Sequence, residues 1–198
     1  MKGILFVMSG PSGTGKGTVC SAVLDREDEL TLSVSATTRE QRKGEVDGET
    51  YYYVEKDDFE AMIDKGEMLE YATYNGNYYG TPKASVDKLL NDGKDVMLEI
   101  EPQGALQVKK LFPEAILMFL VPPSMAELKN RLINRGRESE AEIAERIANA
   151  KWELEQADKY TVLIENDELE KCVEDVLLYI AQKRTERKKV TDLINEQI

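Results

Sequence analysis

The stretch GPSGTGKGT, Gly10 to Thr18, has the composition of a loop that wraps a polyphosphate. Its glycines let the backbone turn tightly enough for successive N–H groups to point at one anion. Lys16 can reach the outer phosphates, and a helix starting here adds its N-terminal donors. A hydroxyl directly after the lysine is the usual metal-facing group, whereas this chain has Gly17 and then Thr18. Gly10, Pro11, Ser12, Gly13, Thr14, Gly15, Lys16, Gly17 and Thr18 thus point to a nucleoside triphosphate, with Thr18 the candidate contact to Mg²⁺. A second anion site is suggested by TTREQRKGE, Thr37 to Glu45, where Arg39, Arg42 and Lys43 crowd together in an otherwise acidic chain.

A triphosphate loop does not specify a reaction. A hydrolase needs a positioned water, whereas a kinase needs a second site that seats an acceptor oxygen in line with the outer phosphate. Guanidinium forks and hydroxyls grip a monophosphate well, and Arg39, Arg42, Tyr51 and Tyr79 supply them. Guanine offers N1–H and an amine as donors and O6 as acceptor, whereas adenine lacks the N1–H and has an amine in place of O6. A carboxylate and a hydroxyl, such as Glu70 and Thr81, select guanine. Glu99 and Glu101 end a strand candidate and can serve metal, substrate or both.

These residues need a frame. Continuous apolar runs at Gly3, Leu32, Asp95, Ile116 and Thr161 read as parallel strands covered on both faces. Helical patterns fall between them at 18–26, 103–111, 124–134 and 138–159, and from Glu168 into the tail. Ser124 reads as an N-cap with Glu127 completing a capping box. The alternation predicts an α/β fold: a three-layer core with a parallel five-stranded sheet. Residues 35–81, rich in Tyr, Gly and charge, break the rhythm and read as a small mixed α+β insertion that binds the monophosphate. The core is then 1–34 and 82–198, including a helical lid at about 137–150. Tyr51 and Tyr53 share one strand face, so Tyr52 and also Trp152 are expected in packing roles. In the charged tail, Leu193 and Ile194 are the expected anchors.

With 38 acidic against 26 basic residues, the formal net charge is -12, which disfavours general binding of nucleic acid or anionic membrane. No apolar run approaches the length of a membrane span, and the start breaks too early for a signal peptide. The absence of histidine rules out a histidine base or a histidine metal site. Cys20 and Cys172 read as buried hydrophobes in a cytoplasmic protein.

The segments MSGPSGTGKGTV, SVSATTRE with Arg42, GEVDGETYY, MLEYATYNGNYYGTP, LEIEPQGALQV, LFPEAILMFLVPPS, RLINRGR and IEND resemble guanylate kinase, from Gly3 to about Tyr179. The resemblance implies transfer of a phosphoryl group from ATP to GMP with Mg²⁺. It sets Ser35, Arg39, Arg42, Tyr51 and Tyr79 around the GMP phosphate, and Glu70, Thr81 and Glu101 on the guanine edge. Glu99 falls near the metal or ribose, and Asn166 near the adenine. Lys16, Arg131, Arg135 and Arg146 attend the transferring phosphates. Two positions depart from the family pattern: Gln41 stands where proline is usual, and Glu101 where aspartate is usual. Loss of the proline is expected to loosen the loop. The competing readings are a P-loop kinase for another nucleoside monophosphate and a non-catalytic module of the same fold that binds protein. The expected partners are GMP and ATP, with the chain a monomer or homodimer.

Overall fold

The computed structural model describes residues 1–74, 76–134 and 139–195. The first apolar run becomes β1, Leu5–Ser9, buried along its length, and the glycine-rich loop leads into α1, Lys16–Leu24. After β2, Leu30–Leu32, the chain builds β3, Ala36–Thr37, β4, Tyr52–Tyr53, α2, Lys56–Asp64, β5, Met68–Tyr74, and β6, Asn77–Pro82. It continues through α3, Lys83–Asn91, β7, Asp95–Glu99, α4, Pro102–Leu111, β8, Ile116–Val121, and α5, Met125–Asn134. Then come α6, Glu140–Leu154, a 3-10 turn at Ala157–Lys159, β9, Val162–Glu165, and α7, Leu169–Asn195.

β2, β7, β1, β8 and β9 lie side by side in that order, parallel throughout. Alternate side chains on each strand face opposite ways, so one sheet feeds two cores. Phe6, Met8, Met97, Met118 and Leu120 pack with Val19, Cys20 and Val23 of α1 and Cys172, Val173 and Val176 of α7. Leu5, Val7, Val96, Leu98 and Leu117 turn to the other face, against Val86 and Leu90 of α3 and Ala105 and Val108 of α4. These are the helix–sheet–helix layers anticipated from the apolar runs. Because strand order turns at β1, the loops after β1 and β7 flank a crevice at the carboxyl end of the sheet.

The second sheet, β4-β3-β6-β5, is mixed, and Phe59 of α2 fills its small core with Ala36 and Met68. The run from Leu32, expected as one strand, divides: Leu30–Leu32 joins the large sheet and Ala36–Thr37 the small one. Helix α3 was not anticipated; its sequence is polar, with Val86 and Leu90 one turn apart as the buried pair. Three packing expectations fail. Tyr52 is exposed because its neighbours take the inner face of an edge strand. Trp152 is exposed on α6, and Leu193 and Ile194 are exposed on α7. The tail helix is held instead by Arg184, which donates to Asp95 at 2.6 Å and pairs with Glu27 at 3.0 Å. Ser124 does cap α5, accepting from the Glu127 N–H at 3.0 Å, but the Glu127 carboxylate turns to Arg131. The reciprocal capping box forms at Ser139 and Glu142.

Candidate active site

The loop between β1 and α1 is held by close contacts to its neighbours. At Gly10, φ is +147° and an added Cβ would meet the Leu120 carbonyl oxygen at 2.3 Å, so only glycine fits. Lys16 is folded inward: Nζ donates to the Gly10 carbonyl at 2.7 Å and pairs with Glu101 at 3.2 Å. Asn166, at the end of β9, donates from Nδ2 to the Thr14 carbonyl at 2.6 Å. Arg131 donates to the Asn166 carbonyl and to Glu127, each at 2.9 Å, so α5, β9 and the loop form one braced unit. Arg146 of α6 reaches the Ser12 hydroxyl at 2.9 Å. Thr18 is exposed on the first turn of α1. Glu99 stands beside Gly17, where an added Cβ would lie 3.4 Å from its Oε1. Desolvation pushes the Glu99 carboxyl above its ordinary range, Lys16 opposes this, and Glu101 adds to it.

Across the crevice, the loop after β3 gathers a cage around Arg39. Its guanidinium lies 5.5 Å from the Tyr51 ring centre and 5.9 Å from that of Tyr53, within cation–π range. Tyr79 meets Tyr51 edge-on at 5.9 Å. The Glu45 carboxylate takes both arms of Arg39, at 2.8 and 3.1 Å, the Arg42 N–H at 2.8 Å and the Tyr53 hydroxyl at 2.7 Å. Those donors, Arg39 first, hold its pKa down to about 2. The Arg42 side chain is exposed, and Ser35 binds the loop through its carbonyl, which accepts from the Tyr52 N–H at 2.9 Å.

A third feature lies deeper in the same sheet. Thr81 of β6 donates to Glu70 of β5 at 2.7 Å, and both are buried. Burial pushes the Glu70 carboxyl up to about 7, although Thr81 pulls the other way. Helix α4 closes over this carboxylate at Gly104, where an added Cβ would meet Glu70 Oε2 at 2.4 Å. Only a glycine lets the helix approach so near.

The structure thus brings together Arg39, Tyr51 and Tyr79, pairs Glu70 with Thr81, and gathers Lys16, Asn166, Arg131 and Arg146 at the β1–α1 loop. Arg135 lies outside the described residues, as do 137–138 at the start of the expected lid. Glu101, expected on the base edge, reaches Lys16 in this conformation. The sequence reading set Tyr53 on the face of Tyr51 without giving it a role, and it missed Glu45 and Gly104. The signal for Glu45 was present in RKGE, a lone acid directly after the basic cluster and its glycine.

The family model described as guanylate kinase matches residues 2–183. Guanylate kinase of Halalkalibacterium halodurans is 47% identical over 197 residues, covering 100% of this chain and 97% of that relative. Guanylate kinase of Thermus thermophilus is 50% identical over 184 residues, covering 93% and 83%. The crystal structure of guanylate kinase from Anaplasma phagocytophilum matches with a TM-score of 0.73 at 29% identity, covering 92% of this chain and 86% of that one. Full-length identity of this order, on a fold with a phosphate loop facing an arginine cage, leads to one assignment: the chain belongs to the guanylate kinase family, the ATP:GMP phosphotransferases.

Proposed function

We propose that the chain transfers the γ-phosphoryl group of ATP to GMP in line across the crevice, giving ADP and GDP. The buried Glu70–Thr81 pair carries this reading, because it stands on the same small sheet as the Arg39 cage. A carboxylate accepts the N1–H and amine of guanine, and a hydroxyl serves O6, while the cage takes the phosphate. Residues 35–81 are then the acceptor-binding body, and 1–34 with 82–198 the core, with the helical lid at about 137–150.

On the donor side, Lys16 and the loop backbone bind the outer phosphates, with Lys16 exchanging the Gly10 carbonyl for a phosphate oxygen. Arg131 and Arg146 approach from the α5 and α6 side, joined by Arg135 in the sequence-based reading. Asn166 fixes the loop through Thr14 and reaches toward the adenine. The acceptor phosphate is already anionic near neutral pH, so no general base is needed. Arg39, Arg42, Tyr51, Tyr79 and Ser35 seat it, and the alignment of its oxygen with the γ-phosphorus supplies much of the rate. Thr18 and Glu99, flanking Gly17, are the hard oxygen donors that suit Mg²⁺ alongside substrate phosphates. When bound, the ion neutralises charge on the phosphate oxygens. Free, buried Cys20 and Cys172 fit a cytoplasmic setting.

The test is an ADP-release assay with ATP, Mg²⁺ and a panel of monophosphates. GMP should exceed AMP, UMP and CMP in kcat/KM by about a thousandfold or more, the scale of a site whose polar groups are left unpaired by the wrong base. Comparable values for AMP and GMP would overturn the reading.

A further inference from the structure

A tight turn spans 42–45, closed by the Glu45 N–H donating to the Arg42 carbonyl at 3.1 Å, with Gly44 at φ +92°. Into this turn reaches Gln41, whose Nε2 donates to the Glu45 carbonyl at 2.6 Å. Glu45 is therefore gripped at its backbone N–H by Arg42 and at its backbone carbonyl by Gln41. Its carboxylate holds Arg39, the Arg42 N–H and Tyr53. The loosening expected from losing a proline at 41 is countered by a side-chain clasp across the same turn.

We propose that Gln41 is a positioning residue for the acceptor-phosphate site, which fixes Glu45 and, through it, the guanidinium of Arg39. The chain of contacts is continuous on the page. Gln41 restrains the turn, the turn fixes where the Glu45 carboxylate projects, and that carboxylate, with the Glu40 carbonyl that accepts from Arg39 Nη1 at 2.6 Å, orients the Arg39 fork between Tyr51 and Tyr53. The physical benefit is entropic. An exposed loop that must present charged groups at one point loses less freedom on binding when it is already closed. A side-chain amide does this through one hydrogen bond, whereas a proline would do it by fixing φ. Because Gln41 lies beside Arg42, its amide could instead touch the phosphate directly, and the test must separate these two routes.

The inference rests on the acceptor site being a GMP site, so wild-type protein is titrated first with GMP by calorimetry. No GMP binding by the wild type would defeat the functional reading itself. Gln41→Met keeps the length and removes the donor, and should raise Kd for GMP about fivefold, the scale of one neutral hydrogen bond. Kd for ATP and the melting temperature should stay put. Gln41→Pro has no side-chain donor either but restrains φ, so it should return Kd for GMP to within about twofold of wild type. The proposal is overturned if Gln41→Met binds GMP within twofold of a GMP-binding wild type. It is equally overturned if Gln41→Pro loses as much as Gln41→Met, since that pattern belongs to direct contact and not to restraint.

Discussion

Both loops proposed to face phosphate concentrate positive character, but they are built from different parts. The β1–α1 loop uses backbone and one buried lysine, and is braced from outside by Asn166, Arg131 and Arg146. The loop after β3 uses guanidinium and hydroxyl groups on a segment whose residues 40–43 are all exposed, and it is braced from within by Glu45. A backbone site needs little beyond correct φ angles, because its donors cannot move independently of the chain. A side-chain site has rotamers to lose and like charges to separate, so it needs an internal counter-charge. Each loop also pairs its cation internally: Lys16 with Glu101 and the Gly10 carbonyl, Arg39 with Glu45.

The contrast is broken most severely at Lys16. Lys16→Ala should lower kcat about a hundred- to a thousandfold, as for loss of one preorganised charge donor, while GMP affinity changes little. Steady-state rates set against calorimetric Kd values decide this, and an equal collapse of GMP binding would merge the two sites into one. Arg39→Ala is the mirror experiment. KM for GMP should rise about ten- to a hundredfold, the worth of a charge-assisted bond, with KM for ATP moving far less.

The proposed base pocket sharpens the comparison through pH. With Glu70 pushed up to about 7, acidification protonates the group proposed to accept from guanine. KM for GMP should therefore climb as pH falls below about 7, tending to tenfold per unit, and Glu70→Gln should flatten that limb. Stability runs in the opposite sense. Between the ordinary value of 4.5 and about 7, the folded chain holds a proton that the unfolded chain releases, so Glu70 costs stability as pH rises through that window. Thermal unfolding should find Glu70→Gln more stable than wild type above pH 7 and equal to it near pH 4.

A smaller effect, of about tenfold in KM for GMP, is expected from Gly104→Ala. The new methyl group must displace Glu70 Oε2, which lies only 2.4 Å from its position. Glu70 is buried and held by Thr81, so the added methyl overpacks the site, and the melting temperature should fall modestly as GMP binding weakens. A loss of stability with GMP affinity unchanged would make Gly104 a packing residue only.

The core was legible because its signals are local. Short continuous apolar runs such as ILMFLV, bounded by turn residues, fit strands covered on both faces, and GPSGTGKGT allows few backbone paths. The small sheet was harder to read. β3 and β4 are two residues each and take their partners from far along the chain, so no window contains the signal for them. Helix α3 was missed for a related reason, since only Val86 and Leu90 mark its buried side.

By itself the sequence determined the α/β class, the phosphate loop, and the residue types of the arginine cage and the Glu70–Thr81 pair. The first two depend on composition or periodicity within a short stretch, and the last two were read from side-chain chemistry and the resemblance to a family. Only the tertiary structure decided the pairings: Glu45 inside the cage, Glu101 on Lys16, Asn166 on Thr14, and Gly104 against Glu70. The physical reason is that charges and hydrogen bonds act through distances of a few ångströms. Thr14 and Asn166, 152 positions apart along the chain, become neighbours only once the parallel sheet brings the ends of its strands together.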